Sequence, residues 1–318
     1  MLAVEKARRL ATEGFRTLLT CYNRQLANHL QAVCQGTPEL DVMSFHQLCH
    51  RLVEKAKHTN GIDAIADAQR DYPDQDYFDV HLPNALSSSL IQLPDRYDAV
   101  VCDEGQDFRA DYWVSIEFIL SDPANSPLYI FYDDNQNLYA RARCFPIADD
   151  PFSLTANCRN TDKIHDAAYR YYCGIPVEPP ANVGEEIILI EALHREQQAK
   201  RLHARVVDLI ANQSVAPDQI VILIAASEHK RDYYSELCHL PLPRPVQWIE
   251  EAPQADGAVL LETVKRFKGL ESPIVFLWGL DELDWCDLKE LLYVGMSRAK
   301  SMLYVVGNAR TVASVLAP

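Results

Sequence analysis

Residues 97–107 read YDAVVCDEGQD. The apolar run Ala99–Cys102 gives way at once to acids and an amide. A short unbroken apolar run with polar flanks reads as a strand buried on both faces. In an open α/β sheet the carboxyl ends of such strands form the ligand crevice. Asp103 and Glu104 therefore stand where chemistry is done. Alone, an Asp-Glu pair after a strand is equally an ordinary helix start, with acids in its first turn. Directly after VVC, and followed by Gln106 and Asp107, it reads as a site. One carboxylate can hold Mg²⁺, a cation that prefers few carboxylates plus phosphate oxygens. A second can orient an attacking water. Asp103 suits the metal role and Glu104 the water role.

The same alternation extends along the chain. Helices are predicted at Leu2–Glu13, Tyr22–Cys34, Phe45–Lys57 and Tyr112–Leu120, with strands at Phe15–Cys21, Asp41–Ser44, Tyr97–Cys102 and Leu128–Tyr132. The pattern restarts after Pro151. Strands are expected at Glu186–Glu191, Gln219–Ile224, Gln247–Ile249, Ala258–Thr263, Pro273–Trp278 and Met302–Val306. Helices are expected at Glu196–Ala211, His229–Cys238 and Leu288–Ala299. Continuous apolar strands between amphipathic helices mean parallel sheets covered on both faces. The expectation is two α/β lobes, 1–155 and 156–318, with the boundary near Leu154–Asn160. The polar, proline-containing stretch His58–Leu90 reads as a variable insertion.

Composition narrows the class. The 318 residues are 48% hydrophobic, enough for two cores. No stretch reaches the roughly 18 apolar residues of a membrane span, and the charged first residues lack a signal core. A cytoplasmic protein with no membrane partner is expected. Nine cysteines without a CxxC pair argue against zinc ribbons and disulfide scaffolds. His46, Cys49 and His50 lack an evident fourth ligand and read as a helix face. The net charge of -15 weakly opposes a nucleic-acid partner. A narrow groove with stacking platforms can still bind one strand in an acidic protein.

The series DEGQD at 103–107 resembles the second motif, DExQD, of the UvrD/Rep-like superfamily 1 DNA helicases, and the resemblance continues in order. FYDDNQNLY at 131–139 is similar to the third motif, with Tyr132 where the family has Gly. LTANCRNT at 154–161 is similar to the fourth, with Cys158 in place of a Tyr that stacks on adenine. TVKRFKGLESPIVF at 263–276 is similar to the fifth, with Lys265 for His, and LYVGMSRAK at 292–300 to the sixth. LLTCYNRQLANHL at 18–30 and SFH at 44–46 resemble the DNA-side elements. Each stretch alone also has a bland reading, as a turn, a helix start or a surface salt bridge.

The resemblance implies two RecA-like parallel-sheet lobes that bind ATP and Mg²⁺ and step along single-stranded or partly duplex DNA, 3′ to 5′. Asp103, Glu104, Gln136, Arg159 and Arg298 would be catalytic, the two arginines meeting the γ-phosphate. Glu271 would accept from the ribose, beside Gly269. Tyr22, Asn23, Arg24, Phe45, His46, Thr263 and Lys268 would contact nucleic acid. A nuclease or second helicase subunit, fused or separate, would be a further partner. RNA is a weaker alternative to DNA.

The phosphate-binding loop GxxxxGK[ST] is absent from residues 1–318. Its backbone amides and Lys would cradle the phosphates. The strand before it is expected to be missing from inside the first sheet, leaving two unpaired neighbours. The leading expectation is a motor core that begins at an internal methionine and is inactive as given. The alternative is a non-hydrolysing module that binds DNA or a partner helicase.

Overall fold

A computed structural model describes residues 2–136, 145–174, 176–250, 257–283 and 288–316. Its contacts divide the chain into two units, Met1–Asp150 and Pro151–Pro318.

The first unit runs α1 (Leu2–Thr12), β1 (Thr17–Cys21), α2 (Arg24–Val33), β2 (Leu40–Ser44), α3 (Phe45–Asn60) and α4 (Ala64–Asp71). A π-helical turn, Tyr77–His81, leads into α5 (Leu82–Gln92), then β3 (Ala99–Asp103), α6 (Ala110–Ile119) and β4 (Leu128–Ile130). The sheet order is β2-β1-β3-β4, and every pairing is parallel. All five residues of β1 are buried, as a strand covered on both faces requires. Helix α3 opens with a capping box from Ser44 and Gln47 and closes on Gly61, whose φ of 72° is costly for any residue with a Cβ.

The described strands form a continuous ladder whose outer strands are β2 and β4. The expectation that read His58–Leu90 as an insertion is corrected in this unit. Most of it is helical, and α5 belongs to the core. Leu82, Ala85, Leu86, Ser89 and Leu90 are all buried, at the i, i+3, i+4, i+7, i+8 spacing of one helix face. Two features disguise that face in the sequence. Pro83 lies in the first turn, where proline is tolerated. The buried Ser89 hydroxyl is satisfied by donating to the Ala85 carbonyl at 2.7 Å.

The second unit runs α7 (Asp162–Tyr169), β5 (Ile188–Glu191), α8 (Arg195–Ala211), β6 (Ile220–Ile224), α9 (Lys230–Cys238), β7 (Gln247–Ile249), β8 (Ala258–Thr263), β9 (Ser272–Trp278), α10 (Leu288–Ser297), β10 (Ala299–Gly307) and α11 (Ala309–Leu316). Its six strands are ordered β5-β10-β9-β6-β8-β7, again all parallel. Strands β6 and β8 are buried at every position. Two parallel-only sheets in α/β layering agree with a pair of RecA-like lobes. Among the described residues no helix is long and apolar enough to cross a membrane.

Since α5 is core, Leu86→Ala should destabilise the first unit by about 2–5 kcal/mol, the usual cost of a large-to-small change at a closed site. Chemical denaturation measures it. A loss well under 1 kcal/mol would return this helix to the periphery.

Candidate functional site

In the first unit, three polar strand ends stand side by side. The register pairs Cys21 of β1 with Ser44 of β2 on one side and with Asp103 of β3 on the other. The chain turns sharply after Asp103. Glu104 has φ 55° and ψ 45°, in the left-handed region, followed by a single 3₁₀ turn, Gly105–Asp107. That turn is pinned where the Gly105 amide donates to the Phe131 carbonyl at 2.8 Å. A Cβ on Gly105 would approach the Ile130 side chain to 2.5 Å, so only glycine fits.

The turn joins the 103–107 and 131–136 segments through side chains. Gln106 Nε2 donates to Glu104 Oε2 at 2.6 Å, and Gln106 Oε1 accepts from the Asp133 amide at 3.1 Å. Gln136 Nε2 donates to Asp133 Oδ2 at 2.7 Å, and the Asn135 amide to Asp133 Oδ1 at 2.9 Å. Glu104 and Gln136 are thus ends of one relay, and Gln106 and Gln136 are both buried. Gln106 and Asp133, its middle members, carried no role in the sequence reading. Their signal was present, as an amide two residues after the acid and an Asp three residues before Gln136. Asn137, Leu138 and Tyr139 of the third motif lie outside the described residues. Burial pushes the Cys21 thiol well up, and the neighbouring carboxylates of Asp103 and Glu104 push it the same way. It stays protonated and unreactive.

The DNA-side candidates divide by role. Asn23 caps α2, its Oδ1 accepting from the amides of Gln25 at 2.8 Å and Leu26 at 3.4 Å. Tyr22 and His46 are half-buried with ring centroids 5.2 Å apart, and Arg24 is exposed. Phe45 is a correction. It is fully buried and stacked on Tyr112 at 4.4 Å, because it enters α3 pointing into the layer that α6 closes. No face of its ring is open to a base.

In the second unit the fifth motif spans the height of the sheet. Thr263 ends β8 at the carboxyl edge, while Glu271 immediately precedes β9 at the amino edge. Between them Gly269 takes φ 82°. The Lys268 side chain is 1% exposed. Its ammonium is thus turned inward, and the phosphate contact expected here was one from the backbone near Lys268 and Gly269.

At the amino edge a cationic cluster surrounds Glu271. Its Oε2 lies 2.9 Å from Arg159 Nε and its Oε1 2.7 Å from Lys300 Nζ. Burial raises the Glu271 carboxyl, but the Lys300 hydrogen bond and the charges of Arg159, Lys300 and Arg298 outweigh it, leaving it below the ordinary value. Arg298 precedes β10, next to β9, and is buried. Its guanidinium donates to the carbonyls of Val294 at 3.0 Å and Leu270 at 3.3 Å and to Ser297 Oγ at 2.9 Å.

Two asparagines assemble this cluster. Asn157 Oδ1 accepts from the Arg159 amide at 2.9 Å, and Asn157 Nδ2 donates to Asn160 Oδ1 at 3.0 Å. Asn160 Nδ2 then donates to the carbonyls of Ser297 at 3.0 Å and Ala299 at 2.6 Å, on either side of Arg298. The structure so brings Arg159, Glu271 and Arg298 together within this unit. Asn157, Asn160 and Lys300 went unread in the sequence, where asparagine resembles a turn former. Among the described residues no group of three or more His, Cys, Asp or Glu could hold a metal ion.

One comparison bears on this second unit. Residues 258–306, from β8 to the penultimate residue of β10, match the UvrD-like helicase C-terminal domain model. The match covers that segment alone. The UvrD-like segment contains Thr263, Lys268, Gly269, Glu271 and Arg298, while Asp103, Glu104, Gln136 and Arg159 lie outside it. The resemblance to UvrD/Rep-like superfamily 1 helicases read from the sequence stands on it. A solved structure described as the C-terminal domain of a possible DNA helicase, from the Lactobacillus strain WCFS1, is similar at 18% identity and TM-score 0.40. It covers 50% of this chain and 91% of that one.

The cluster around Glu271 and Arg298 generates two predictions. Asn160→Ala removes a buried donor from two carbonyls, and should cost about 1–3 kcal/mol in the unfolding of the second unit. An unchanged denaturation midpoint would show that those bonds do not hold Arg298 in place. The second concerns Glu271, whose folded carboxyl is depressed. Its stabilising contribution is present above the unfolded value of 4.5 and is lost as pH falls through the lower folded value. The stability gap between wild type and Glu271→Gln should be widest at neutral pH and close as pH falls through the depressed folded value. A gap independent of pH would contradict the ion-pair account.

Proposed function

We propose that this chain is part of the motor core of an ATP-dependent single-stranded-DNA translocase or helicase of the UvrD/Rep-like type. In this reading Asp103 serves the metal, Glu104 orients water and Gln136 reads the γ-phosphate. Arg159 and Arg298 supply positive charge to the transferring phosphoryl, a role suited to a planar, permanently charged group. Bound ATP–Mg²⁺ would supply the driving force, and these residues would sense its state.

The observation that carries the reading is the relay Glu104–Gln106–Asp133–Gln136. Any displacement of Gln136 passes to Asp133, from there to Gln106, and so to the carboxylate that would position water. Coupling between phosphate state and backbone position is what a stepping motor requires. The family match of residues 258–306 gives independent support at the level of helicase-related function.

The residues present fit the acid and cation parts of an ATP–Mg²⁺ site and do not include its phosphate cradle. No GxxxxGK[ST] occurs in residues 1–318. Glu271, expected at the ribose, is already engaged by Arg159 and Lys300. These two facts favour a second reading, a module that binds DNA or a partner helicase without turnover.

The test has two arms on the full chain. Fluorescence anisotropy should show binding to a labelled single-stranded oligonucleotide, weakening steeply as salt rises. A phosphate-release assay with that oligonucleotide should show no turnover above background. Absent binding refutes the motor and DNA-module readings alike. Robust turnover refutes the claim that this chain is inactive as given.

A further inference from the structure

The π-helical turn Tyr77–His81 lies in the segment that the sequence reading set aside, and no role has been assigned to it. Such turns are rare and frequently mark functional positions. Phe78 within it is 52% exposed. Its ring is nevertheless held from behind. The His46 ring meets it edge-on, with centroids 5.5 Å apart and planes at 82°, and the Tyr77 ring lies 5.1 Å away at 89°. His46 also contacts Tyr22 at 5.2 Å and Tyr112 at 5.9 Å. Phe78 is therefore the outermost ring of a cluster rooted in the core.

The turn itself is anchored. Asp79 accepts from Tyr112 Oη at 2.7 Å and from Arg109 Nη1 at 2.9 Å. His81 Nε2 meets the Tyr72 carbonyl at 2.8 Å, and Asp76 Oδ1 accepts from the Asp79 amide at 2.7 Å. An apolar ring kept at the surface by this many fixed contacts pays little further ordering cost on binding a flat partner.

The surroundings select the partner. Tyr22 and His46 stand where α2 and α3 begin, at the carboxyl ends of β1 and β2. Helix N-termini favour anions, and Arg24 is exposed beside the first of them. A ring face next to an anion-favouring rim matches the alternation of base and phosphate in a single strand. We infer that Phe78 is a stacking platform for one unpaired nucleobase, with the adjoining phosphates over the starts of α2 and α3. The inference rests on the proposed single-strand-binding reading and extends it to a residue outside the motifs that suggested it.

The experiment compares a base-bearing deoxyadenosine oligonucleotide with an abasic oligonucleotide of the same length, both titrated with the full chain. Phe78→Ala should weaken binding to the first by about fivefold or more, as expected for one base–aromatic stack. It should leave binding to the abasic strand within about twofold. Phe78→Leu keeps apolar bulk without a π face and should behave like the Ala variant. Phe78→Trp should bind at least as well as wild type. Phe118→Ala, an exposed ring on α6, is the control and should bind like wild type. Thermal unfolding confirms that each variant is folded. Equal losses on both strands, or a Phe78→Ala variant indistinguishable from the control, would overturn the stacking role and leave the ring to a protein partner. If wild type binds neither strand, the parent reading fails with it.

Discussion

The first unit depends on the register of three parallel strands. Cys21, Ser44 and Asp103 are cross-strand neighbours, so each chain leaves the sheet at the same level. A slip of one residue in β3 toward the amino edge would draw Asp103 into the buried position that Cys102 fills. Apolar burial on both faces of β1 and β3 penalises that slip at several positions at once. The polar residues need no stabilisation of their own to be placed. They are what remains when the sheet ends.

The second unit solves a different problem with the same sheet type. Its cations gather at the amino ends of β9 and β10, opposite to the edge where strands of this kind usually present ligands. Parallel strands leave unpaired backbone groups at both edges, and here buried side-chain amides satisfy them. Asn160 donates to two carbonyls and thereby fixes the peptide that carries Arg298. A buried guanidinium is tolerable because carbonyls and a hydroxyl accept from it on several sides. The carboxylate Glu271 then sets the charge balance beside it.

How much of this was legible in the sequence depended on what each residue does physically. Strands such as β6 and β8 announced themselves because double-sided burial demands unbroken apolar runs. Helix α5 did not, since Pro83 and three consecutive serines mask an apolar face that is complete at helical spacing. Helices α7 and α11 are short and also escaped. Asp103 and Glu104 were visible from the abrupt change after VVC. Gln106, Asp133, Asn157 and Asn160 were not, because an amide or acid that positions another residue has the same local pattern as a turn. Phe45 went the other way. Its aromatic ring suggested contact with nucleic acid, whereas its position at the start of α3 turns it inward.

Glu104 occupies a backbone conformation that suits glycine or asparagine, at a cost of order 1 kcal/mol or more for a residue with its side chain. At that position robustness and carboxylate chemistry pull in opposite directions. Directed evolution for heat tolerance alone would be drawn toward glycine there, and would deliver a sturdier protein emptied of the acid proposed to orient water. Thermostability campaigns on this chain should hold position 104 fixed and look for their gains elsewhere.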